Sequence, residues 1–420
     1  MPPFEGFDCT TGTTKAGQTA EPELNNNVLL LDNTPARKEV AAEDDDEELV
    51  VDDKGQRLVD TPIPAAKEIE KEAHKRELRG RQLVWHNIIL ITVFHALAFW
   101  ATFTYIFDLS WKSWIYSISL GALGGLGVTA GCHRLWSHRS YKAAAPLRVF
   151  LALCYSIAGQ NTILEWVRDH RVHHKFTETD ADPHNVKRGF FFAHVGWLMQ
   201  RKHPDVLRQG QKVDLSDVQA DPVVQWHQRH FLLLKILLCF VLPPLIPVYA
   251  WNEPWHLAIY SCAVVRYVLL LNFTWLVNSA AHMFGNKPFD KRINPTENVL
   301  VSAVAMGEGW HNYHHVFPWD YKTSEYSYFF NATTVWIDIF SKLGLAFDCK
   351  TATPDMVRRV ALRHGDNSHP DHKRVESDHH HPEEVTYDEY LRVIKEDDVY
   401  TGVKDLHNEE DVTRSEKGRA

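Results

Sequence analysis

Cysteine is scarce in this chain, six in 420 residues, and no two are spaced as CxxC. That excludes a disulfide framework and a thiolate zinc site as its organising chemistry. Cys132, Cys154, Cys239 and Cys262 fall in or beside apolar segments, where free cysteine acts as a small hydrophobe. No basic patch interleaved with aromatics occurs outside the candidate site, and the net charge is −9, so nucleic acid is not expected as a ligand. The first eighty residues contain no apolar h-region, so no cleavable signal peptide is expected and the first spanning helix would direct insertion. Two metal signatures are also missing: the carboxylate facial triad and the Glu-x-x-His pattern of soluble di-iron bundles.

The most informative absence is that of charge in four stretches. Leu83 to Ile106 contains no Asp, Glu, Lys or Arg; Trp111 to Gly131 has only Lys112. Phe231 to Trp251 has Lys235 and a Pro243-Pro244 pair, and Trp255 to Val277 has Arg266. Some twenty helical residues, at about 1.5 Å each, cross a hydrocarbon core of roughly 30 Å. The expected fold is therefore all-α and integral to a membrane, with four transmembrane helices at about 83–106, 111–131, 231–251 and 255–277. These lengths argue against four buried helices of a soluble protein. The links Phe107–Ser110 and Asn252–Pro254 are short enough to make two hairpins. Lys75, Arg76, Arg79 and Arg81 precede the first crossing, which places the N-terminus in the cytosol. By parity the polar stretches from Cys132 to His230 and from Ser279 onward share that side, as a helical cytosolic cap. Residues 81–365 form the expected membrane domain. Residues 1–80, with the acidic run Glu43 to Glu48, and 366–420, with His379, His380 and His381, are expected to be polar, disordered cytosolic tails.

Against this background the histidines stand out. They group as His133 and His138; His170, His173 and His174; and His311, His314 and His315, with Asn278 and His282 directly after the fourth crossing. Positions i, i+3 and i+4 share a helix face, so His170, His173 and His174 are expected to converge on one point, and the third group repeats that spacing. His133 and His138 are five apart, which suits no single face of a straight helix, so the second crossing is expected to end between them. Nine imidazoles on one side are too many for one four- or five-coordinate ion, and two ions are implied. Imidazole suits iron, copper, zinc or nickel alike. Apolar helices able to hold an aliphatic chain favour iron with dioxygen.

The segments TAGCHRLWSHRSYKA, EWVRDHRVHHKFTETDADPHN, GFFFAHVGWL, TWLVNSAAHMFG and GEGWHNYHHVFPWDY resemble acyl-CoA desaturases of the stearoyl-CoA (Δ9) desaturase type, in an animal or insect-like form. The resemblance covers about Arg81 to Gly365. It implies a multi-pass endoplasmic-reticulum enzyme that inserts a cis double bond, commonly Δ9, into saturated long-chain acyl-CoA, using O2 and electrons from cytochrome b5 and its reductase. It implies a di-iron centre, two Fe held by His133, His138, His170, His173, His174, His282, His311, His314 and His315, with Asn278 acting through water. Coenzyme A contacts would fall on Asn87, Asn161, Arg168, Asp169, Arg201 and Lys202, and tunnel-lining roles on Gln160 and Trp275. No HPGG haem signature is present, so a separate cytochrome b5 is expected. Arg266, matched by an arginine in the family, is read as structural.

One departure concerns substrate. The positions that plug the tunnel end in mammalian relatives fall on Gly121 and Gly125, either for close helix packing or to admit longer chains. Two rival functions use comparable residues. A membrane fatty-acyl hydroxylase or alkane monooxygenase would make alcohol, not alkene. A histidine-rich metal transporter would place its ligands near the midplane.

Overall fold

The computed structural model describes residues 82–326 and 328–372. The expected tail 1–80 lies outside the described residues, as do residues 373–420 of the C-terminal one, including His379 to His381. In chain order the principal helices are α1 (Trp85–Tyr105), α2 (Trp111–Ser137), α3 (Ala145–Ala158), α4 (Ile163–Phe176), α5 (Pro222–Trp251) and α6 (Trp255–Met283). The polar C-terminal region adds α7 (His311–Val316), α8 (Ala332–Lys342) and α9 (Pro354–His364).

Helices α1, α2, α5 and α6 are long and apolar enough to cross a membrane. Burial distinguishes them. On α1 large side chains stand exposed, Phe103 at 74% and Phe99 at 68%, as suits a helix whose solvent is lipid. The inner helices α2 and α6 are far more enclosed. At the hairpin turns Glu253 binds the two pairs together: it accepts the Ser110 N–H at 3.3 Å, the Ser113 hydroxyl at 2.6 Å and Trp251 Nε1–H at 3.2 Å. Ser110 also caps α2, accepting from Ser113 N–H.

Three of the spans run further than hydropathy alone suggests, to Ser137, from Pro222, and to Met283. Their extensions are polar and amphipathic, so a transfer-scale window ends too soon. The extension of α2 changes winding: Gly127–Ser137 is π-helical, with His138 N–H bonded to His133 C=O at 3.1 Å. The wider i→i+5 winding swings residues five apart towards one face, and the two imidazoles come to 4.9 Å between ring centroids. The helix does end between them, at Ser137, but the shared face arises from wider winding. Gly127 permits the approach of α3, since a Cβ there would lie 2.1 Å from Tyr155 N.

Arg266, buried in α6, is bonded to backbone from three helices. Its Nη2 donates to Cys239 C=O at 2.7 Å, its Nη1 to Ile157 C=O at 2.8 Å and its Nε to Cys262 C=O at 2.6 Å. Two of the acceptors sit where helical bonding fails: Pro243 has no N–H to offer Cys239, and Ile157 lies in the last turn of α3. The third, Cys262, lies in the π segment Tyr260–Val265 one turn before Arg266 itself. The guanidinium replaces donors that water would otherwise supply.

The cap is knitted by a further arginine. Arg171 on α4 donates to Trp136 and Ser137 C=O at the end of α2 and to both carboxylate oxygens of Asp217. A short antiparallel pairing, β1 (Lys142–Ala143) with β2 (Ala346–Phe347), ties the chain after α2 to the end of α8. The folded body continues past Gly365: His369 is buried and bonds Glu325 at 2.9 Å.

Candidate metal centre

Helix α4 begins with a capping box, Thr162 and Glu165 bonding each other's backbone N–H, which fixes where its three histidines point. His133 and His138 come from the end of α2, His282 from the last turn of α6, and the rest from α7. These nine gather as two sets. His133, His138, His170, His174 and His314 form one, and His173, His282, His311 and His315 the other, each with ligand nitrogens within 4.8 Å of one another.

The expectation that each i, i+3, i+4 triplet meets at a single point is corrected. His170 and His174 enter the first set while His173 enters the second; His311 and His315 enter the second while His314 enters the first. At 3.6 residues per turn, i+4 is displaced by about 40° and i+3 by about 60° the other way. Each triplet therefore straddles two centres, and α4 and α7 each bridge them.

The donor chemistry fits metal ions. Nε2 atoms face one another at 2.9 Å (His133 and His314), 2.8 Å (His138 and His170) and 3.0 Å (His282 and His311). Such convergence of lone-pair donors calls for a shared Lewis acid. Three of the rings are oriented from behind: His133 Nδ1 lies 2.7 Å from Glu308, His173 Nδ1 2.8 Å from Asp182, and His282 Nδ1 2.8 Å from Glu178. A carboxylate at Nδ1–H leaves Nε2 bare for a metal and raises its basicity. Burial, followed by the neighbouring imidazoles, holds His311, His314 and His315 well below the usual histidine range, so they are neutral. Burial would raise Asp182, yet the adjoining His173 outweighs it and holds the carboxyl at about 2. A third grouping, His173 with Asp182 and His184, shares its histidine with the second set and belongs to the same centre.

Glu178, Asp182 and Glu308 were not singled out by sequence reasoning. Their signal was present, since each lies within the quoted motif segments, but nothing in residue spacing shows which acid reaches which ring. Glu308 also accepts Nε–H and Nη2–H of the buried Arg134 at 3.1 and 2.9 Å.

Beneath the histidines lies a cavity of about 650 Å³. His133, His170, His173, His311 and Asn278 line its head, and Leu109, Trp114 and Leu257 its far end by the hairpin turns. Gly121 and Gly125 are on its wall. Gln160 lies alongside, donating to Thr274 Oγ1 at 3.1 Å and accepting Trp166 Nε1–H at 3.0 Å; both partners line the cavity. Trp275 packs elsewhere, against His95 and His194.

The coenzyme A candidates are gathered only in part. Arg168 and Lys202 both pair with Asp169, whereas Asn161 and Arg201 are exposed. Asn87 donates to Leu198 C=O at 2.8 Å, and Arg201 uses its backbone N–H on Gln82 C=O at 3.0 Å. The arrangement as a whole places a pair of metal sites against an apolar slot, which suits oxidative chemistry on an aliphatic chain.

Known proteins carry the same arrangement of sequence. A fatty acid desaturase family model matches residues 109–330. An acyl-CoA Delta-9 desaturase of Acheta domesticus is 51% identical over 317 residues, covering 74% of this chain and 88% of that protein. An acyl-CoA Delta12-desaturase of the same organism is 51% identical over 289 residues, 69% and 81% of the two chains. Stearoyl-CoA desaturase 5 of Bos taurus is 51% identical over 294 residues, 69% and 86% respectively.

Proposed function

Because the chain belongs to the fatty acid desaturase family, we propose that it inserts a cis double bond, at Δ9, into saturated long-chain acyl-CoA. The single observation that carries this reading is the pair of histidine sets at the head of an apolar cavity. Two irons, held by the nine histidines with Asn278 acting through water, would supply the dioxygen-dependent redox chemistry that removes two hydrogens from adjacent methylenes. In balance, one O2, two electrons and two protons accompany loss of two hydrogens from the chain, giving an alkene and two waters. Cytochrome b5 and its reductase would deliver the electrons.

The chain's own residues supply position. Glu308, Asp182 and Glu178 keep three imidazoles in register. The Gln160, Thr274 and Trp166 hydrogen bonds fix the cavity wall near the histidines. Arg168, Asp169 and Lys202, with Asn87, Asn161 and Arg201, would hold the coenzyme A head, cations offsetting phosphates. Distance from that anchor to the metal sites then selects which bond reacts. Overall likeness does not, since Δ9 and Δ12 relatives share the same identity with this chain. The open wall at Gly121 supports acceptance of longer chains, whereas the room beside Gly125 is filled by Met306. The resemblance supports an endoplasmic-reticulum location, and the basic residues before α1 support an orientation with both termini and the site cytosolic. Placement of the histidines at helix ends favours an enzyme over a transporter.

Expression in a desaturase-deficient yeast, with gas chromatography and double-bond localisation, tests this. New cis-monoenes that disappear in His173→Ala are expected; hydroxy acids in their place would move the chain to the hydroxylase class.

A further inference from the structure

Met306 is a wall residue that the motifs did not single out. It lies between the short helix Val299–Val304 and α7, and its φ is 59°, a left-handed conformation that non-glycine residues seldom adopt. Its carbonyl is held there by Thr333, through N–H at 3.2 Å and Oγ1 at 2.9 Å. Thr333 Oγ1 also meets Thr129 Oγ1 on α2 at 2.8 Å. Thr129 and Met306 both line the cavity.

The side chain so placed crosses to α2. A Cβ built on Gly125 would lie 2.8 Å from Met306 Sδ, so the thioether occupies the space a side chain at 125 would need. One turn further from the histidines the wall is open: a Cβ on Gly121 would meet only Arg266 Cγ, at 3.7 Å. Beyond that point the lining continues to Leu109, Trp114 and Leu257. The obstruction at this level comes from a cap loop across the cavity, and it is unbranched and soft.

We infer that Met306 is a chain-length-determining residue, a yielding stop against which the methyl end of the acyl chain comes to rest. This rests on the acyl-chain reading of the cavity. A chain of ordinary length ends against the thioether, and a longer one turns it aside and enters the segment beside Gly121. A strained backbone held by Thr333 keeps the stem fixed while the tip moves.

The test compares monoene profiles of the wild type, Met306→Gly and Met306→Phe in the same yeast, fed saturated acids of fourteen to twenty-two carbons. Met306→Gly suits the backbone conformation, so folding is preserved, and it removes the stop. It should raise the ratio of twenty-carbon to sixteen-carbon monoenes by about tenfold or more, with Met306→Phe lowering it, given what a methylene is worth in an apolar pocket. Metal content per chain should stay the same. Unchanged ratios in both variants, at full metal content, overturn the assignment. Thermal shifts of purified full-length protein with saturated acyl-CoAs of those lengths separate this from failure of the enzymatic reading. If the wild type forms no monoene yet is stabilised by these ligands, a change of length optimum in Met306→Gly upholds the stop, and an unchanged optimum rejects it.

Discussion

The histidine sets and the cavity beneath them are built on opposite principles. Around the metal sites every oriented ring is backed by a buried carboxylate, and those carboxylates are bonded again, Glu308 by Arg134 and Asp182 by the Glu178 N–H at 2.8 Å. In the cavity wall the decisive positions are glycine and an unbranched thioether. Geometry that must not drift is over-determined by hydrogen bonds and close carboxylate contacts, while geometry that must fit a flexible chain is left to contacts of low directionality. Errors in the first region should abolish the reaction, and changes in the second should redirect it.

Substitutions can break this contrast. The largest effect is expected from His173→Ala, which opens the four-histidine set: metal per chain should fall and monoene should drop below detection by gas chromatography. Glu308→Gln keeps every ligand but weakens the support of His133 and leaves Arg134 short of its partner. Metal retention or turnover should fall roughly 10- to 100-fold, as for other losses of a ligand's supporting carboxylate, and metal analysis with turnover checks it. In the cavity, Gly121→Tyr should spare short-chain turnover and suppress the longest products about tenfold or more, what even one methylene of lost room is worth. Equal losses at all lengths would show that the two regions are not separable.

The smallest effect lies outside both. Burial pushes Asp217 up, but hydrogen bonds from Arg171 and Arg139 outweigh it and hold the carboxyl at about 2. A lowered folded-state value contributes stability above the unfolded value of 3.8, lost as pH falls towards 2. Asp217→Asn should therefore cost about 1 kcal/mol at neutral pH, with the deficit shrinking below pH 4. Thermal unfolding across pH reads it, and catalytic length preference should not move.

Much of this was legible in the chain because its strongest signals are local. Charge-free runs of twenty residues mark α1 and the short hairpins directly, and nine histidines in four groups marked the centre before any geometry was known. What stayed hidden depended on winding and distance. Spacing alone could not show that His133 and His138 share a face through a π segment, nor that His173 parts from His170 and His174. It could not pair Glu178 with His282, 104 residues away. Met306 gave no sign at all, because a methionine in a loop acquires meaning only from the glycine opposite.

Arg266 carries a consequence for how such a molecule can diversify. Helices that bend or widen around a chamber leave carbonyls without donors, and each departure would ordinarily need its own remedy. Here one guanidinium answers two of them, and binds a third carbonyl on its own helix, at a single junction of α3, α5 and α6. With the curvature secured from one place, neighbouring wall positions are released from holding the shape. A substitution along that wall can then change what the chamber admits without disturbing the junction that shapes it.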